Sequence, residues 1–155
     1  MVLMARLTCS GQMAAPEYTN NLMQLSSYLL EHVIPARSYS TLYTDVDMDG
    51  DGKMDLALYN QNTGAWLASL SGSGYAMATA SLGGPGCVPA PGDYDWDRKT
   101  DPAVYNKAAG QWIAALSALG YLPASVAFGG PDFRAAPGDF DGDRLADPAV
   151  YQDST

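Results

Sequence analysis

Twelve of the chain's 17 acidic residues fall in three short stretches of the same layout. Asp47, Asp49, Asp51 and Asp55 occupy positions 1, 3, 5 and 9 of the first stretch. Asp93, Asp95, Asp97 and Asp101 repeat them, and Asp139, Asp141, Asp143 and Asp147 repeat them again. Carboxylates packed this closely repel one another unless a cation sits among them. Alternate residues in a tight turn can aim side-chain oxygens at one point. Position 7 (Lys53, Lys99, Leu145) can add its backbone carbonyl. A set of hard oxygens suits Ca²⁺, which takes about 6–8 of them. Mg²⁺ demands stricter octahedral geometry and keeps several waters. Zinc wants Cys or His, and neither occurs in these stretches. The expectation is therefore up to three Ca²⁺ ions. A merely solvated acidic turn is the competing account, and three copies in one register weigh against it.

The three stretches differ at positions 4 and 6, where glycine eases unusual backbone angles. The first has Gly50 and Gly52, the third Gly142 and Arg144, the second Trp96 and Arg98. On that ground the loops should fill in the order first, third, second.

Net charge points the same way. The formal charge is −9. Apart from these twelve aspartates, eight Lys and Arg face five acids, so the acidity of the chain comes almost entirely from the three stretches. The overall acidity argues against a nucleic-acid partner. No apolar run is long enough to span a membrane. The opening "MVLMARLTCSG" is too short and polar for a signal peptide. Cys9 and Cys87 are the two cysteines, and one bridge or two free thiols both remain open.

The elements that must position these acids follow from a repeat. "DMDGDGKMD", "DYDWDRKTD" and "DFDGDRLAD" begin at Asp47, Asp93 and Asp139, 46 residues apart each time. Tyr59, Tyr105 and Tyr151 keep the register, as do Gly64 with Gly110 and Trp66 with Trp112. A fixed period of this size marks a repeat architecture. Gly (16) and Pro (10) punctuate short apolar runs, which suits an all-β fold. In the middle unit "CVPAPGDY", "DPAVYN", "QWIAALS" and "YLPASVAFG" read as four strands. Ala103 and Tyr105 should face one side and Val104 the other. A four-stranded unit of this length matches a propeller blade. The blades run over about 38–82, 86–129 and 133–155, the third with two strands only. Such a set cannot close a ring alone and leaves a strand edge unpaired. Residues 1–37 stand apart from the repeat. Tyr18, Leu22, Leu25, Leu29 and Val33 recur at helical spacing. They predict an amphipathic helix over about 17–34, after a short apolar arm, "VLMARLTC".

"PGDFDGDRLADPAVY" after "FGG", and "PGDYDWDRKTDPAVY" after "LGG", resemble the FG-GAP or VCBS-type repeat. Such repeats build the propeller of integrin α-subunits and occur in many bacterial surface and secreted proteins. The resemblance covers about residues 38–155. It implies calcium in the loop between the first two strands of each blade, and an extracellular or cell-surface setting. Trp96, Arg98 and Arg144 depart from the pattern.

Other chemistry is thin, and no catalytic residue is assigned. His32, the single histidine, lies on the predicted helix without a triad motif around it. Trp66 and Trp112 follow hairpin turns and read as packing between blades rather than sugar platforms. Trp96 has no counterpart in the other units and lies in a polar loop, so it is a candidate contact surface for sugar or protein. The expected function is structural: a calcium-stiffened subunit that self-assembles head-to-tail, as in a fibre, a neighbouring copy completing the third blade. The alternative is a carbohydrate-binding or adhesion module.

Overall fold

The structure, a computed structural model, describes residues 39–152, with side chains from residue 46 onward. The chain divides into two units, Met1–Arg37 and Ser38–Thr155. The predicted helix over 17–34, the apolar arm, Cys9 and His32 all lie outside the described residues.

Two four-stranded antiparallel sheets and one hairpin follow one another, each in simple up-and-down order. The first sheet holds β1 (Tyr39–Val46), β2 (Asp55–Asn60), β3 (Ala65–Leu70) and β4 (Ala76–Ser81). The second holds β5 (Cys87–Pro89), β6 (Ala103–Asn106), β7 (Gln111–Leu116) and β8 (Leu122–Ala127). β9 (Phe133–Ala135) and β10 (Val150–Gln152) form the hairpin. The fold is all-β, and among the described residues these sheets do not close into a barrel or ring.

Local chemistry explains the turns. After β2, the Asn60 side chain accepts the Asn62 N–H at 2.9 Å, and Gly64 closes the hairpin onto the Asn60 carbonyl at 2.8 Å. A Cβ on Gly64 would lie 2.7 Å from the Gly83 carbonyl oxygen, so the turn and the next linker can meet only at glycine. The first strand of the second unit is shorter than "CVPAPGDY" predicts. Pro91 has no N–H to continue a ladder. Beyond Pro89 the pairing shrinks to a bridge between Gly92 and Asp101.

The sheets are joined face to face by apolar side chains. Ala57, Tyr59, Trp66 and Ala68 of the first sheet pack with Val46 and Met48. Cys87 and Val104 of the second sheet press into that cluster. On the other side of β6, Tyr105 joins Trp112 and Ala90, and Ala135 and Val150 of the hairpin pack against them. Val104 and Tyr105 therefore serve successive seams, as period-2 alternation requires. Tyr59 and Tyr105 are fully buried. Their rings lie 4.9 and 5.1 Å from Trp66 and Trp112. Burial of each such ring contributes about 2–3 kcal/mol. Both hydroxyls reach the Gly-Gly linkers, accepting from Gly84 at 3.0 Å and from Gly130 at 2.7 Å.

Candidate metal centres

Each acidic loop leaves the first strand of its unit and returns to the second. Its position-1 Asp closes it. In the first loop, Asp47 Oδ1 accepts the Gly50 N–H at 2.7 Å and Oδ2 accepts the Gly52 N–H at 2.9 Å. Asp93 does the same for Trp96 and Arg98, at 2.8 and 3.0 Å. Asp139 does so for Gly142 and Arg144, at 2.7 and 2.9 Å. All six donors sit at positive φ. Glycine is thus not required at positions 4 and 6. Trp96 (φ 72°), Arg98 (68°) and Arg144 (74°) take the left-handed conformation that costs a side-chain-bearing residue about 1 kcal/mol. Two charge-assisted bonds per loop offset that cost.

The far end of the loop is tied back in the same way. Asp55, Asp101 and Asp147 accept the N–H of Met48, Tyr94 and Phe140, all at 2.8–3.0 Å. Asp55 and Asp101 are buried with β2 and β6, whereas Asp147 is half-buried.

In each loop, oxygens of positions 1, 3 and 9 converge. Asp47, Asp49 and Asp55 bring one oxygen each within 4.8 Å of the others, as do Asp93, Asp95 and Asp101, and Asp139, Asp141 and Asp147. Position 5 stands outside these groups. Asp51 Oδ2 instead pairs with the Lys53 ammonium at 2.8 Å, a solvent-exposed contact of little strength. Asp97 Oδ2 accepts the Ser117 hydroxyl at 2.6 Å. Asp143 accepts the Leu145 N–H. Lys53 and Lys99 likewise donate their N–H groups to position 5.

The sequence reading missed a second layer. The short turn after β3 and β7 is aimed at the acids. Ser71 N–H donates to Asp55 at 2.7 Å, its hydroxyl to Asp51 at 3.1 Å, and Gly72 N–H to Asp49 at 2.9 Å. Ser117 and Ala118 repeat this for Asp101, Asp97 and Asp95. The signal was present: Ser71 and Ser117 are one repeat period apart.

Electrostatics distinguish the members. The Lys53 ammonium bonded to Asp51 holds that carboxyl below its usual range, and Asp51 raises the Lys53 pKa in return. Burial pushes the Asp97 carboxyl up, but bonds from Ser117 and Lys99 outweigh it, and the net shift is downward. Burial pushes Asp101 up despite the N–H groups of Tyr94 and Ser117.

The second loop also supplies a test of whether a cation fits. Asp95 Oδ1 is cut off from solvent, and no donor reaches it. It belongs to a carboxylate of the converging trio. A buried anionic oxygen without a donor is costly, and a hard cation would satisfy it. The donor set is all oxygen, so the residues fit Ca²⁺ or a similar hard ion.

Successive loops are also joined. Thr100 N–H donates to the Asp47 carbonyl at 2.6 Å, and Ala146 N–H to the Asp93 carbonyl at 2.7 Å. Trp96 stands exposed at 63% in the second loop, whereas Trp66 and Trp112 are buried between sheets. Cys87 is a buried free thiol. No described helix is long and apolar enough to cross a membrane. No family model matches this chain, and neither a curated protein nor a solved structure matches it.

Proposed function

We propose that residues 38–155 are propeller-type blades of an extracellular, calcium-binding structural protein, akin to FG-GAP and VCBS repeats, with one Ca²⁺ per acidic loop. The observation that carries this reading is the trio of carboxylates at positions 1, 3 and 9, repeated in three loops with the same backbone bonds. The undonated Asp95 Oδ1 supports it further. The kinship rests on the sequence motif. The proposed ligand set adds Asp51, Asp97 and Asp143 and the carbonyls of Lys53, Lys99 and Leu145. A bound Ca²⁺ supplies hard-oxygen coordination and positive charge. The chain does the rest: position 1 closes the loop, and position 9 ties it to the second strand. Extracellular modules work with dissociation constants of about 10⁻⁴–10⁻³ M, which the extracellular medium can fill. The test is thermal unfolding in Ca²⁺ and in EGTA. At a hundredfold excess over the dissociation constant, each site adds about 2.7 kcal/mol. Identical melting in both buffers would sink the reading.

Head-to-tail self-assembly is the second part of the proposal. Its support is a face that repeats a buried one. Tyr151 is 49% exposed where Tyr59 and Tyr105 are at 0%, and Phe140 is 69% exposed where Met48 is buried. Sedimentation and negative-stain microscopy test it, and discrete monomers in saturating Ca²⁺ would rule assembly out.

A carbohydrate-binding or adhesion role is the second reading, favoured by Trp96. It holds a strained left-handed backbone and still presents its ring to solvent. Glycan-array binding that Trp96→Ala abolishes would support this role. An array at background level would remove it.

A further inference from the structure

Resting on the calcium reading above, we propose that Ser71 and Ser117 are positioning residues for the first two metal sites. Each stands at the head of the short turn that follows the third strand of its sheet. Each acts through the carboxylates it holds and not by contact with the ion.

The argument begins with a division of labour. Both oxygens of the position-1 acids are engaged by N–H groups of their own loop. The turn never touches them. Its three donors go to positions 3, 5 and 9 in both loops. In the second, Ala118 N–H reaches Asp95 Oδ2 at 2.8 Å, Ser117 Oγ reaches Asp97 Oδ2 at 2.6 Å, and Ser117 N–H reaches Asp101 Oδ1 at 2.7 Å. The first loop repeats the pattern through Ser71 and Gly72. The partners are 16–23 residues apart in sequence, so the pattern is not a local turn motif.

The consequence for Asp95 is specific. With Oδ2 bound to Ala118, its carboxylate plane is fixed, and Oδ1 is the oxygen that stays buried without a donor. A free aspartate would rotate that oxygen toward water. The serine hydroxyl adds the bond that seats the turn against the loop. Hydrogen bonds to ligating carboxylates of this kind are worth about 10–100-fold in metal affinity. Ala at position 117 keeps the backbone N–H and removes only the hydroxyl. Thr keeps the hydroxyl.

The part of the Tb³⁺ emission that Trp96→Leu removes reports the second loop, because the other loops carry Gly50 and Gly142 there. Ca²⁺ displacement of that signal gives the affinity. Ser117→Ala should weaken Ca²⁺ binding about tenfold. Ser117→Thr should restore it to within threefold of wild type. Ser71→Ala should leave the second-loop signal unchanged. Melting of each variant in EGTA separates positioning from folding: Ser117→Ala should lose far more of the Ca²⁺-dependent rise than of the metal-free midpoint. A Ser117→Ala protein that binds Ca²⁺ within twofold of wild type, or more tightly, overturns the positioning role and leaves the calcium reading intact. Wild-type protein with no Ca²⁺-displaceable Tb³⁺ signal overturns both. A Ser117→Ala midpoint that collapses in EGTA, with no rescue by threonine, assigns the serine to folding alone.

Discussion

The apolar seams and the acidic edge hold the same sheets by opposite means. A seam such as Tyr59, Trp66, Cys87 and Val104 is buried, apolar and uncharged. It needs nothing from solution. The edge formed by the three loops is dense in like charge and organised by directional bonds to backbone N–H groups. It is geometrically complete and electrostatically unbalanced. The difference teaches that the loops take their shape from Asp and the backbone, while, on the calcium reading proposed above, their energy depends on a cation. The glycine pattern is secondary, since Trp96 and Arg98 accept the angles that Gly50 and Gly52 do.

The comparison can be broken at several points. The largest effect belongs to the seam. Tyr59→Ala removes a fully buried ring and should cost roughly 3–5 kcal/mol, equally in Ca²⁺ and in EGTA, by urea unfolding. A cost that vanished in Ca²⁺ would mean that seam and edge are not independent. Next comes Asp101→Ala, which strands the N–H groups of Tyr94 and Ser117 in the interior. It should cost roughly 3 kcal/mol in EGTA and also reduce the Ca²⁺-dependent rise. A loss of the metal effect with an unchanged metal-free midpoint would make Asp101 a ligand alone. Smaller still is Gly52→Ala. No atom lies within 4 Å of its added Cβ, so only the left-handed backbone resists, at about 1 kcal/mol. Trp96→Ala, already paying that strain, should shift stability by less than about 0.5 kcal/mol. Equal costs for the two would reject the strain account.

The smallest effect is a slope with pH. Burial raises the Cys87 thiol above its ordinary 9.0. A thiol whose folded pKa is raised contributes stability that is complete below the unfolded value. That contribution is lost as pH rises through the folded value. In a Cys9→Ser background, stability should therefore decline more steeply from about pH 8 to 10 than in the protein that also carries Cys87→Ala. Parallel curves would show that Cys87 ionises as freely folded as unfolded.

Much of this was legible in the sequence. The 46-residue period assigned the strands, and alternation along β6 put Val104 and Tyr105 on opposite faces. The Asp spacing singled out the loops. Three things were not legible. Residue-type preference at positions 4 and 6 favoured glycine, because it weighs the angle and not the two carboxylate bonds that hold it. The partners of position 5 were hidden, because spacing cannot show that Lys53 and Ser71 bond Asp51 or that Ser117 bonds Asp97. Ser71 and Ser117 were hidden in turns, because their partners lie a whole hairpin away. The helix expected over 17–34 belongs to the residues that are not described.

The bonds that cross between units have a mechanical meaning. Apolar contact is non-directional and would let two sheets slide or pivot on one another. At one end of β2 the loops are pinned by Thr100 N–H on the Asp47 carbonyl, and at the other end the Tyr59 hydroxyl pins the linker at Gly84. Two pins about 15 Å apart fix an angle where one would leave a hinge. The seam supplies adhesion and the pins supply the pitch; the Asp47 carbonyl of one pin is beyond the reach of side-chain substitution, whereas Tyr59→Phe deletes the other and would free that end to pivot.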